Sequence, residues 1–233
     1  MRALIAAALA AAGLAWAGPQ AVQHTFVIGH SVRDRPIRAY ERGDPSGPAT
    51  LVVGVIHGSE NAGLRVVARL RDMPVPRGVH LWLVPTMNPD GMAAGTRENA
   101  RGVDLNRNWP AAWRHKGSPW SGMYSGPRPL SEPETKAMRA FIVRVKPELS
   151  IWYHQPLNLV YGSDPHVKVL RRYAHLTRLR YVRRRVPHGA ATLWERIHLR
   201  GAHFVVEFPA GRISAATARR HARAVLALAP RTP

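Results

Sequence analysis

A histidine and a glutamate three residues apart, His57 and Glu60, directly follow the apolar run of residues 51–56, Leu-Val-Val-Gly-Val-Ile. A strand holds its last residue rigidly, and the turn after it can return the carboxylate to the imidazole, so this pair could supply two ligands to a zinc ion. HxxE alone also occurs in many chains that bind no metal. His154 ends a second strand-like run, residues 149–154, which Gln155-Pro156 stops. In a doubly wound sheet, ligands gather at the carboxyl ends of strands. His57, Glu60 and His154 would then converge and leave a fourth position for water, the pattern of a catalytic rather than a structural zinc. The chain has twelve histidines, so any one of them is equally open to a surface or core role. Glu207 is the next anomaly, a carboxylate inside Phe204-Val-Val-Glu-Phe208 where an apolar residue is expected. Burying it unpaired would be costly. It is either an edge-strand side chain facing water or a general base beside a metal site. With no cysteine in the chain, metal ligands must come from His, Asp and Glu.

The elements that would position these residues alternate in type. Residues 25–28 and 37–40 bracket Asp34-Arg35-Pro36 and read as a hairpin. Residues 51–56 and 79–84 read as strands buried on both faces. Residues 61–71 have helical spacing and end before Pro74 and Pro76. Residues 88–128 are rich in Gly, Pro, Asn and Arg without clear periodicity; a loop that long in a compact domain is functional or disordered, and its specific polar residues favour function. Ser131-Glu-Pro-Glu134 reads as a capping box opening a helix to Val145. A strand at 149–154, a helix over 165–177, a basic strand near Tyr181, a short helix over 191–198, a strand over 203–208 and a closing helix over 214–228 follow. The pattern predicts one α/β domain: a doubly wound, mixed but mostly parallel twisted sheet with helices on both faces.

Asn88-Pro-Asp-Gly91, Thr96-Arg97-Glu-Asn99 and Gly102-Val-Asp-Leu-Asn-Arg-Asn-Trp109 add the decisive pattern. Together with His57-x-x-Glu60, His154 and the late-strand Glu207, in this order, they make the chain resemble the zinc carboxypeptidase family. The resemblance implies that His57, Glu60 and His154 bind one Zn2+. It implies that Asp104 accepts a hydrogen bond from His57 and orients it. Asn106 and Arg107 would hold the carboxylate end of a substrate. Arg97 would polarise the scissile carbonyl, and Glu207 would assist attack of zinc-bound water as base and then acid. The chain departs from the family where a mobile tyrosine is common before the base: residues 184–192 contain none. Tyr181 is the nearest, and His188 is a candidate for a partial substitute. The compact loops, with Tyr124-Ser-Gly-Pro and Ser131-Glu-Pro-Glu-Thr, are closer to bacterial murein peptide amidases, which cut between γ-D-glutamate and diaminopimelate. This implies a peptide substrate from the cell wall. A broad carboxypeptidase of ordinary peptides and a non-catalytic cationic wall-binding protein are the alternatives.

Arg2, an apolar run over residues 3–15 and Ala15-Trp16-Ala17 match a signal peptide over residues 1–17, with a catalytic domain over 18–233 and a secreted or periplasmic location. That run is too short for a span of roughly 20 residues, and no later segment is apolar enough to cross a membrane. A net charge of +20, carried by only four lysines among 34 basic residues, would attract anionic envelope polymers, or is simply a solvated arginine-rich surface. No nucleic-acid motif or interleaved aromatics accompany it, which argues against a specific nucleic-acid partner. The family resemblance implies a monomer.

Overall fold

Strands β3 (Ala49–Val53) and β4 (His80–Val84) are buried at every residue, as a strand between two helix layers must be. So is β5 (Leu149–His154). These strands form the middle of the sheet in a computed structural model that describes residues 22–162 and 166–232. The leader expected over residues 1–17 lies outside the described residues. Strands β1 (Val22–His30) and β2 (Pro36–Gly43) make the expected antiparallel hairpin, extended beyond the predicted ends. Strands β6 (Leu157–Gly162), β7 (Arg180–Arg183) and β8 (Ala202–Pro209) complete one eight-stranded sheet of order β1-β2-β4-β3-β5-β8-β6-β7. Neighbours from β4 through β3 and β5 to β8 run parallel, as do β6 and β7; β1-β2, β2-β4 and β8-β6 are antiparallel. The mixed, mostly parallel architecture predicted from the pattern is the observed one.

Side-chain alternation divides the core between the two faces of the sheet. Val52, Ile151, Tyr153, Phe204 and Val206 pack with helices α1 (Gly63–Asp72), α4 (Val167–Thr177) and α6 (Ala215–Leu228). Leu51, Val53, Trp152 and Val205 pack with α3 (Pro133–Val145) and α5 (Ala191–His198). His154 and Glu207 continue the second set two residues on, so the α3/α5 face carries the chemistry.

Four expectations need correction. The strand predicted to Ile56 ends at Val53, leaving Gly54–Ile56 to turn toward the His57 loop. The stretch 88–128 is not featureless: α2 (Pro89–Ala94) and a 3-10 turn (Leu105–Arg107) lie within it. Asn88 caps α2 by accepting from the Gly91 N–H, while Pro89 occupies its first turn. The capping box at Ser131 does not form. Helix α3 starts at Pro133 behind Glu132, and the Ser131 hydroxyl donates to Glu132 Oε1 at 2.6 Å instead. Strand β6 had no counterpart in the sequence reading, because Pro156 signalled only an ending. The chain re-enters the sheet at once, antiparallel to β8, with Leu159 opposite Glu207. Glu207 therefore sits on an inner strand, 6% exposed, and is no edge residue facing water.

Under the α3/α5 face, Glu195 is fully buried and accepts a hydrogen bond from Trp152 Nε1 at 2.8 Å. Burial, only partly opposed by hydrogen bonding, pushes its carboxyl from 4.5 up to about 8. A raised carboxyl pKa means the folded state holds a proton that the unfolded state has already released. The contribution is thus complete below pH 4.5 and is lost as pH rises toward about 8. Across that window stability falls by up to about 1.4 kcal/mol per pH unit on this account. Urea unfolding of Glu195→Gln between pH 5 and 7.5 is expected to show a distinctly flatter pH dependence than the wild type; parallel dependences would refute the assignment.

Candidate metal centre and active site

Three carboxyl ends meet on one face. The chain leaves β3, runs through Val55 and Ile56, and presents His57; β5 ends on His154; β8 places Glu207 directly opposite His154 in parallel register. Glu60 returns to His57 because its own N–H donates to the His57 carbonyl at 2.9 Å, closing a tight turn. All of these side chains are buried, and beneath them Trp109 packs edge-on against Trp152 and tilted against Trp194, giving a rigid floor.

The geometry at the centre is closely constrained. Asp104 Oδ1 lies 2.9 Å from His57 Nε2 and accepts its proton, which leaves the Nδ1 lone pair facing inward. His57 Nδ1 is 3.0 Å from Glu60 Oε1, His154 Nδ1 is 2.9 Å from Glu60 Oε2, and the two Nδ1 atoms are 3.2 Å apart. One ligand atom from each of the three residues lies within 4.8 Å of the others. Zinc–nitrogen bonds of about 2.0–2.1 Å put two tetrahedral ligands about 3.3 Å apart. Two imidazole nitrogens and a carboxylate converging at this spacing, away from bulk water, could hold a cation between them, and the residues fit zinc.

Electrostatics follow the same plan. Burial alone would raise the Glu60 carboxyl, but the His154 and His57 contacts hold it well below the usual carboxylate range. Asp104, also opposed by burial, is held low by His57 and by Arg97. Both are acceptors only, as a metal ligand and an orienting carboxylate require. Glu207 differs. Desolvation raises it and His154 works in the other direction, with a net upward shift. Its Oε2 accepts from the Leu157 N–H at 3.4 Å, so strand β6 helps to hold it.

The remaining predicted residues are brought to the same place with different engagements. Arg97 donates through Nη1 to Glu60 Oε1 at 2.6 Å, through Nη2 to Asp104 Oδ2 at 3.1 Å, and through Nε to the Gly122 carbonyl at 3.1 Å. It braces the two low carboxylates, and two of the five guanidinium N–H groups remain beyond these three contacts. Asn106 accepts from the Ala191 N–H at 3.0 Å, and its Nδ2 lies 3.5 Å from His154 Nε2. Arg107 donates to the Asn106 carbonyl at 2.8 Å and faces a cleft beyond it. His188 also lines that cleft, its Nδ1 3.0 Å from the Ala112 carbonyl. Tyr181 packs with the core on the opposite face of the sheet, so it does not line the site.

Two supports were missed. Gln155 read only as part of a strand stop, yet its N–H donates to Glu60 Oε2 at 3.1 Å and its side chain ties the Ala62 N–H to the Pro209 and Gly211 carbonyls. Its position after a ligand histidine was the available signal. Gly58 lies so close to α2 that a Cβ there would sit 2.0 Å from the Gly91 carbonyl carbon. Gly58→Ala is expected to cost about 1–3 kcal/mol and to loosen the ligand loop; urea unfolding and zinc stoichiometry check this, and wild-type values for both would contradict the close packing.

Comparison with known proteins fits this geometry. The family model described as zinc carboxypeptidase matches residues 13–196. The chain belongs to the zinc carboxypeptidase family. It is 34% identical over 160 residues to murein peptide amidase A of Escherichia coli K12, covering 63% of each protein, so it spans just under two thirds of that relative's length. Among solved structures, a murein-tripeptide amidase from Escherichia coli O157 superposes with a TM-score of 0.71 at 27% identity, over 88% of this chain and 90% of that one. Carboxypeptidase A of Helicoverpa armigera, 19% identical, shares the fold with a TM-score of 0.76 over 88% of this chain and 69% of its own. His57, Glu60 and His154 form a cluster suited to the zinc of that family. Among the described residues, no helix is long and apolar enough to cross a membrane.

Proposed function

We propose that this zinc carboxypeptidase-family hydrolase is a secreted, monomeric metallopeptidase that cuts cell-wall peptides beside a free carboxylate, with residues 1–17 as its leader and 18–233 as its catalytic domain. The observation that carries the reading is the placement of Glu207 opposite His154, next to a metal cluster flanked by Asn106 and Arg107. The murein preference rests on the relatives named murein peptide amidase A, 34% identical in the Escherichia coli case. The scissile bond is that between γ-D-glutamate and diaminopimelate.

His57, Glu60 and His154 hold the zinc, and Asp104 fixes the His57 ring. Bound zinc supplies Lewis acidity toward a carbonyl and acidifies water. Glu207, raised by desolvation, takes a proton from the attacking water on its carboxylate and returns it to the leaving nitrogen. Arg97 keeps Glu60 and Asp104 in place and turns its remaining N–H groups toward the developing oxyanion. The Arg107 fork and the Asn106 amide seat the terminal carboxylate.

Zinc-loaded protein is expected to release diaminopimelate from a γ-D-glutamyl-diaminopimelate peptide. Cleavage of hippuryl-type peptides but not of the murein peptide would replace this substrate with ordinary peptides. Binding to cell wall without turnover of either would favour a non-catalytic wall-binding role.

A further inference from the structure

Two buried tyrosines on the α1/α4/α6 face satisfy each other: the Tyr153 and Tyr173 hydroxyls lie 2.8 Å apart, and the Tyr173 hydroxyl is 2.9 Å from His221 Nδ1. Tyr161 is buried as well, at 6% exposure, yet among the described residues its hydroxyl has no hydrogen-bond partner. A buried phenol normally finds one. The register of the sheet shows what lies around it. Strand β6 runs antiparallel to β8 with Leu159 opposite Glu207 and Tyr161 opposite Val205. Residues two apart on a strand share a face, so Tyr161 stands on the α3/α5 face as the diagonal neighbour of Glu207, a spacing that an aromatic side chain can bridge. Its ring packs in the core of that face with Leu159 and Val205. The Arg184 guanidinium carbon lies 5.6 Å from the ring centre, and Arg184 lines the same cleft as Arg107. The phenol thus sits between the candidate base and the candidate carboxylate seat, and it feels both. Burial, reinforced by Glu207, pushes it up to about 12, while Arg184 and Arg107 pull the other way. It stays protonated at neutral pH and is therefore a hydrogen-bond donor.

A substrate whose terminal carboxylate meets Arg107 and whose scissile bond meets Glu207 lays its last residue between the two, against Tyr161. A carboxylate only accepts, and a phenol without a partner is a ready donor for it. The other two residues considered for this contact are engaged elsewhere: Tyr181 packs on the opposite face of the sheet, and His188 Nδ1 lies 3.0 Å from the Ala112 carbonyl. We propose that the Tyr161 hydroxyl donates a hydrogen bond to the substrate carboxylate seated by Arg107, which makes Tyr161 a substrate-binding residue supplied by an inner strand. The inference rests on the reading of Arg107 as the terminal-carboxylate seat and adds to it a donor from a distant part of the chain. Because β6 is paired on both sides, with β8 and with β7, this donor is in place before a substrate arrives, and no loop has to close to deliver it.

Tyr161→Phe removes the hydroxyl and keeps the ring. The probes are a γ-D-glutamyl-diaminopimelate peptide and the same peptide amidated at the carboxyl next to the scissile nitrogen. On the free carboxylate, zinc-loaded Tyr161→Phe is expected to show kcat/KM about tenfold or more below wild type, mainly through KM, as the loss of one hydrogen bond to a charged group requires. On the carboxamide the two proteins should differ by no more than about threefold. An equal loss on both probes would assign Tyr161 to packing and overturn the proposal, as would a wild-type KM for the carboxylate in the variant. A wild type that treats both probes alike removes the Arg107 seat and the proposal with it, whereas a wild-type carboxylate preference that Tyr161→Phe retains removes Tyr161 alone. If the murein peptide is not cleaved, the murein reading has failed, and a hippuryl-type peptide and its carboxamide decide the role of Tyr161 by the same comparison. If no peptide is cleaved, calorimetric Kd values of both pairs on the two zinc-loaded proteins decide it: a carboxylate preference cut about tenfold in the variant upholds the contact, and an unchanged preference overturns it.

Discussion

Glu207→Gln is expected to lower kcat by about 10²–10⁴-fold, the range over which a positioned proton-transfer group contributes, while zinc stoichiometry and unfolding midpoint stay near wild type. The amide keeps the shape of the side chain and can still accept from the Leu157 N–H, so the strand contact survives. What it cannot do is take a proton. The position is demanding because Glu207 lies on an inner strand, is 6% exposed, and faces His154 across the β5–β8 pair. A buried carboxylate with one backbone donor at 3.4 Å is costly to maintain for stability alone. Removing that charge should leave the fold unharmed, and a kcat within a few-fold of wild type would remove Glu207 from the chemistry.

The second large effect concerns the metal. His154→Ala removes one of the two Nδ1 donors and also the group that helps hold Glu60 ionised. Loss of an orienting partner typically weakens metal affinity 10–100-fold, and loss of a ligand itself should exceed that. Zinc at a hundred times its Kd stabilises a folded protein by about 2.7 kcal/mol, or about 5–10 °C for a domain of this size. Wild type is expected to show that rise in Tm on zinc addition, and His154→Ala to show essentially none. A full zinc-dependent rise in the variant would move the metal site elsewhere.

Much of this site was legible because its chemistry is written in short local runs. His57-x-x-Glu60 after an apolar strand, the Gly102 to Trp109 run, and a histidine ending another strand each point to one place once strands are known to share their carboxyl ends. Glu207 stood out as a charge in an apolar run, yet two readings fitted it until β6 was seen to cover β8 on the outside. That strand was not legible, since Pro156 marks an end and nothing local says that the chain turns back into the same sheet. Ser131 was misread for a related reason: a capping pattern describes local preference, and here Asn108 donates to Ser131 while Ser131 donates to Glu132. The double bracing of Arg97 on Glu60 and Asp104 depends on residues far apart in sequence, which spacing alone does not reveal.

On the proposed function, a single zinc held by His57, Glu60 and His154 makes this chain a peptidase. Titrating chelator-treated protein with zinc while following release of diaminopimelate from a γ-D-glutamyl-diaminopimelate peptide tests it most directly. The expected result is a rate that rises in proportion to zinc and levels off at one equivalent per chain. Release of product that is independent of added zinc, or no cleavage of either this peptide or a hippuryl-type peptide with one equivalent bound, would contradict it.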